Sequence, residues 1–261
     1  MPILLIPALG FAAGLHAASY GAYKDSPHES FLLRRFLREL VFASVLAVGL
    51  AASGLARGET AFVAYLSAFA LSRIATEFWK LFVRTEPQQD YRIPTQMHWV
   101  KGIVEDRTLR LALGLGFLAS IYGIYCLCTL IPPYVPAPLR GLLVGLAIGI
   151  AEAIAGGYKD GSIEGFSWRK FAKSPTFGAL GGLIASGHTH SLVFLLLASI
   201  GSMRMFLELL FKIVVADYAP GKFRSMSGPF VEWLERRHLF LWPYVLTWAL
   251  YAVLCAQTGW F

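Results

Sequence analysis

The sequence predicts an all-α integral membrane protein: about eight transmembrane helices arranged as two parallel, same-orientation four-helix repeats, with short amphipathic cytoplasmic helices. Three observations carry that expectation. Of 261 residues, 56% are hydrophobic and 15% charged, too little polar surface to cover a soluble domain of this size. Eight apolar runs reach or approach the roughly twenty residues that a bilayer asks of a helix. A polar motif, Tyr-Lys-Asp followed by Glu, Phe, Arg and Phe, occurs twice, 135 residues apart.

The runs cover residues 3–22, 40–56, 60–83, 110–131, 138–157, 175–190, 191–214 and 239–257. The first has no leading basic region, so it reads as a retained first helix rather than a cleaved signal peptide. The sixth is short and crowded by Gly178, Gly181, Gly182 and Gly187, so it either spans or re-enters. Between the fourth and fifth, Pro132, Pro133, Pro136 and Pro138 forbid a continuous helix. They divide the chain into a first repeat, 1–131, an outer linker, 132–139, and a second repeat, 140–261. Cys126, Cys128 and Cys255 sit inside apolar runs and read as small packing residues rather than a disulfide framework.

Net charge is +7 and the pI about 9.4. In a soluble protein that balance would suggest nucleic acid, but here the basic residues collect in alternate connections. Lys24, Arg34, Arg35 and Arg38 follow the first run; Lys80, Arg84, Arg92, Lys101 and Arg107 the third. Lys159, Arg169, Lys170 and Lys173 follow the fifth; Lys212, Lys222, Arg224, Arg236 and Arg237 the seventh. The other connections hold little beyond Arg57 and Arg140. Positive loops stay in the cytoplasm, which places both termini on the non-cytoplasmic side. No nucleic-acid partner is expected.

The duplicated motif pairs Tyr23, Lys24, Asp25, Glu29, Phe31, Arg34 and Arg35 with Tyr158, Lys159, Asp160, Glu164, Phe166, Arg169 and Lys170. Self-similarity at a fixed offset marks a repeat. Four spans per repeat is an even number, so the halves share one orientation. Arg73 and Glu77 recur as Arg204 and Glu208, about thirteen residues into their runs, which at about 1.5 Å per residue is near mid-bilayer. An ionisable group there costs about 2.5 to 3.5 kcal/mol. The helix-favoured order puts Glu before the cation; both copies have the reverse, so partners on other helices or a bound anion explain these residues better than local pairing.

The candidate substrate contacts are therefore Lys24, Asp25, Glu29, Arg34, Arg35, Arg73, Glu77, Lys159, Asp160, Glu164, Arg169, Lys170, Arg204 and Glu208. The blander reading of the first copy is a capping box of Ser26 and Glu29, with Pro27 at the first helical position. The second copy has Gly161 in place of Ser26 yet keeps Glu164. His16 and Glu152, each facing Ala in the other copy, are candidates for proton coupling; a lone His also serves simply to hydrogen-bond a neighbouring helix. The loop 86–101 offers Arg92, His98 and Trp99 as a lid, or else an interfacial turn. His188 and His190 lack the further ligands that a metal needs. Phosphate-binding glycine loops, metalloprotease helices and nucleophile elbows are absent from the sequence.

The functional expectation is a transporter or flippase for an anionic substrate, a phosphorylated lipid or organic anion, held in a charged cavity between the halves and open to the cytoplasm. The alternative is a membrane enzyme acting on a lipid phosphate at the cytoplasmic face. Asp25, Glu29, Asp160 and Glu164 would then hold magnesium, and His98 would act as acid or base; no cofactor is expected otherwise. A second alternative is a noncatalytic subunit of a membrane complex. Expected partners are membrane lipids and the anionic substrate, with homo-oligomers compatible. In architecture alone the pattern is similar to the parallel duplicated halves of the major facilitator transporters, with eight spans rather than twelve.

Overall fold

The computed structural model describes residues 5–25, 31–85, 96–99, 102–214 and 236–257. The chain forms α1 (Leu5–Asp25), α2 (Leu33–Ala52) and α3 (Ala61–Phe78), which runs on as a π-helix over Trp79–Val83. A hairpin follows, β1 (His98–Trp99) antiparallel to β2 (Gly102–Ile103), with His98 opposite Ile103. Then come α4 (Arg107–Thr129), α5 (Ala137–Glu164), α6 (Trp168–Ala185) and α7 (Leu192–Leu207), the last continuing as a π-helix over Glu208–Val214. A 3-10 turn, Arg237–Phe240, leads into α8 (Leu241–Ala256).

Five of these helices are long and apolar enough to cross a membrane: Ala61–Val83, Arg107–Thr129, Ala137–Tyr158, Leu192–Leu210 and Arg237–Ala256. The chain is thus a helical protein with the makings of an integral membrane protein. The other three expected spans fall short for visible reasons. The first turns of α2 hold Arg34, Arg35, Arg38 and Glu39, and those of α6 hold Arg169, Lys170 and Lys173. Along α1, Gly10, Gly14, His16, Ser19 and Gly21 dilute an otherwise apolar run. The sixth run is one continuous helix that starts at Trp168 and passes through Pro175. Arg34, Arg35, Arg38, Arg169, Lys170 and Lys173, expected in connections or in separate amphipathic helices, therefore lie on the opening turns of the long helices themselves, whereas Lys24 is in the last turn of α1 and Lys80 and Arg84 lie in and just after the π-segment.

Local chemistry sets several ends. Thr60 caps α3 by accepting from the Val63 N–H, and Asp106 caps α4 by accepting from Thr108 and Leu109. Between α2 and α3 the chain turns through Gly54 and Gly58, at φ of 72° and 85°, a region closed to most side chains. The expected capping box of Ser26 and Glu29 lies outside the described residues; α2 itself starts after Leu32, with no side-chain cap.

Helices pack where small residues let backbones approach, as expected when lipid removes any hydrophobic drive between them. A Cβ added at Gly14 would lie 2.6 Å from the Leu40 Cα, seating α1 on α2. In the same way Gly145 and Gly149 of α5 press on the backbone of Gly178 and Ser174 in α6. Gly201 of α7 fits against the Leu66 carbonyl of α3, and α8 lies along α1. Helix α4 stands outermost, with Leu115, Tyr122 and Leu127 exposed. Its Gly114 meets the rings of Phe78 and Phe82, and buried Arg110 donates to the Arg84 carbonyl at 2.9 Å.

Candidate functional site

The polar residues of the interior gather where α3 meets α7. Leu66 faces Gly201, and seven residues further along both helices Arg73 faces Glu208. Two such contacts in ascending order mean that α3 and α7 run in the same direction. The Arg73 Nη2 lies 3.7 Å from Glu208 Oε1, with both side chains largely buried. The carboxylates of Glu77 and Glu39 are also within electrostatic reach of Arg73.

Glu208 turns its second oxygen, Oε2, toward His16 Nε2 of α1, 3.8 Å away. His16 is fully buried among the rings of Phe69, Tyr244 and Trp248, at centroid distances of 5.0, 4.6 and 6.0 Å. Its Nδ1 stands 2.8 Å from the Thr247 hydroxyl of α8. That hydroxyl has one proton and donates it to the Tyr244 carbonyl at 2.7 Å. Thr247 is thus the acceptor toward His16, and Nδ1 carries the hydrogen. With that hydrogen on Nδ1, a neutral ring presents the Nε2 lone pair to the carboxylate oxygen and a protonated ring presents a hydrogen.

The second half of the expected site is arranged differently. Arg204 pairs with Glu152 of α5, so Glu152, expected as a proton carrier, is the ion-pair partner of Arg204. Glu77 accepts from Lys80 of the π-segment at 3.5 Å. The structure therefore gives each mid-helix Arg a carboxylate on another helix, as the reversed helix order suggested.

At the basic end, Lys24 lies 5.8 Å from the centroid of the Tyr20 ring. Arg34 and Arg35 open α2, and Arg169 and Lys170 lie exposed on the first turn of α6. Asp25 ends α1, whereas Lys159, Asp160 and Glu164 lie within the last turns of α5 rather than beyond a helix end; their side chains, like Glu29 and Arg92, fall outside what is described. Of the lid candidates, Trp99 is in β1 and His98 is buried. The His98 ring stacks on Tyr158 at 5.6 Å, and its carbonyl accepts from the Tyr158 hydroxyl at 3.1 Å. Tyr23, the counterpart of Tyr158, meets the His238 ring at 5.9 Å and the Arg237 guanidinium at 4.7 Å.

Sequence reasoning missed Glu39, which is buried on α2 and accepts from Thr76 of α3 and from Arg38, both at 3.1 Å. It also missed the π-helices at both Arg and Glu pairs, one just after Glu77 and one starting at Glu208. Such segments are rare and concentrate at functional sites. Among the described residues, no cluster of His, Cys, Asp and Glu could hold a metal ion. Compared with protein-family models, with curated proteins and with solved structures, the chain matches none.

Proposed function

We propose that this protein is a membrane transporter or flippase for an anionic substrate, a phosphorylated lipid or organic anion, working by movement of two parallel halves at the α3 and α7 contact. The observation that carries the reading is the ion pair between Arg73 and Glu208, which joins the two halves by costly charges buried at mid-helix. An arginine paired with a carboxylate can exchange it for a phosphate oxygen and stay paired, while the released Glu208 carboxylate still faces His16. Substrate would compete with Glu208 for Arg73 and with Glu152 for Arg204. Breaking the Arg73 and Glu208 pair loosens the contact that holds the halves together, and alternating access requires such a release; the Arg204 and Glu152 pair lies within the second half.

Three features support a duplicated architecture. The parallel course of α3 and α7 fits halves of one orientation. In both halves a π-helix lies at the Arg and Glu pair, over Trp79–Val83, just after Glu77, and over Glu208–Val214, which starts at Glu208 itself. Each motif tyrosine, Tyr23 or Tyr158, touches a histidine from the other half, His238 or His98. The alternation of basic and neutral connections supports termini on the non-cytoplasmic side, with Lys24, Arg34, Arg35, Arg169 and Lys170 at the cytoplasmic mouth.

The test is reconstitution into vesicles with chain-labelled fluorescent phosphatidylglycerol, following access of the label to external dithionite. Translocation by the wild-type protein, lost in both Arg73→Ala and Arg204→Ala while insertion stays normal, is the expected outcome. Full activity in the double variant overturns the reading.

A further inference from the structure

On the side of α3 away from α7 lies an apolar groove of about 400 Å³, a size that suits a ligand pocket. Phe42 and Leu46 of α2 form one wall and Leu118 of α4 the other; Ile74 and Ala75 of α3 form the floor, which ends at Trp79 of the π-segment. The groove is open along its length and lined almost wholly by carbon, so it suits a hydrocarbon chain rather than a polar solute.

Its Trp79 end is basic. Arg38 is one turn before Phe42 on the same face of α2, and Arg34 one turn before that. Arg38 and Arg84 both hold their guanidinium groups over the Trp79 ring, at 5.1 and 5.2 Å from its centroid. A chain in the groove therefore runs from mid-helix toward cations about 6 and 12 Å beyond Phe42, taking 1.5 Å per residue. An acyl chain joined to a phosphate headgroup has that same order of apolar length and terminal negative charge.

We propose that this groove is a binding site for one acyl chain of an anionic glycerophospholipid, whose phosphate is held by Arg34 and Arg38. The site deepens the transport reading by naming a lipid as the ligand. It also touches the mechanism at a defined point, because Trp79 opens the π-segment that follows Arg73 and Glu77 on the same helix.

The experiment measures lipid retained by the purified full-length protein, by native mass spectrometry after exposure to equimolar phosphatidylglycerol and phosphatidylcholine. Wild-type protein should favour phosphatidylglycerol by about twenty-five-fold, about fivefold for each cation near the lipid phosphate. Arg34→Gln with Arg38→Gln should lose that preference and still retain lipid. Leu118→Trp, on the loosely packed α4 where the side chain is 45% exposed, should fill the groove and lower retention of both lipids; Ile74→Trp tests the same point from the floor. No preference in the wild type, or undiminished retention in both tryptophan variants, overturns the proposal. Retention is read on purified protein without any translocation step, so failure of lipid binding and failure of the transport reading remain distinguishable.

Discussion

Arg73 and Glu208, 135 residues apart in sequence, meet at 3.7 Å in a largely buried ion pair between two helices that run side by side. Such a pair adds little net stability but is costly to break from one side, because the abandoned charge stays in low dielectric. Arg73→Leu should therefore destabilise by about 3 to 5 kcal/mol, and Glu208→Leu by a similar amount. The double variant should be more stable than either single one. Thermal unfolding in detergent gives the double-mutant cycle; additive losses would mean that the two charges do not depend on each other.

The His16 hydrogen bond makes a separate prediction. Thr247→Val keeps the volume of the side chain but removes the oxygen that accepts from Nδ1, at a cost of about 1 to 3 kcal/mol for a buried donor left unmet. Replacing both partners, His16→Phe with Thr247→Val, should recover part of that loss, because the ring cage of Phe69, Tyr244 and Trp248 accepts an aromatic side chain. Unfolding of the three variants checks this, and equal losses in single and double variants would contradict it.

How far these contacts were legible in the sequence depends on which rule governed each residue. Apolar length located the eight long helices among the described residues, five of them long and apolar enough to cross a membrane, because burial in lipid or protein asks for such a run. The charges at mid-helix stood out because nothing in a bilayer tolerates them idly. Partner choice was not legible. Glu152 resembled a proton carrier and His16 a lone polar residue until α5 was placed beside α7 and α1 beside α8. Glu39 escaped notice because the second run was started at residue 40, whereas α2 begins at Leu33. The π-segments left no signal, since a change of hydrogen-bond register needs no particular residue type.

Stability should also depend on pH through His188, in the connection between α6 and α7. Burial against the Phe62 ring, 4.4 Å away, lowers its pKa below the ordinary 6.5. A base whose folded pKa is depressed binds fewer protons folded than unfolded, so stability rises with pH through that window and falls as pH drops below 6.5. Half-buried Glu59 has a raised pKa and the opposite slope. The contribution of His188 is read as the difference between wild type and His188→Gln in unfolding scans from pH 5 to about 8. The wild type should lose ground to the variant on the acid side; parallel curves would sink the assignment.

The glycines of α5 allow a contrast within one helix. Gly145 lies so close to the Gly178 backbone that no Cβ fits, whereas a Cβ on Gly156 would meet nothing within 4 Å. Alanine at Gly156 removes backbone freedom from the unfolded chain and should stabilise by about 0.5 to 1 kcal/mol. Alanine at Gly145 gains the same entropy but must push α5 and α6 apart, and overpacking of that kind costs about 1 to 3 kcal/mol. The two substitutions are chemically identical and only eleven residues apart, so their opposite signs would isolate the close approach itself. Thermal unfolding of the two variants decides the matter: a stabilising Gly145→Ala would mean that α5 and α6 do not touch backbone to backbone.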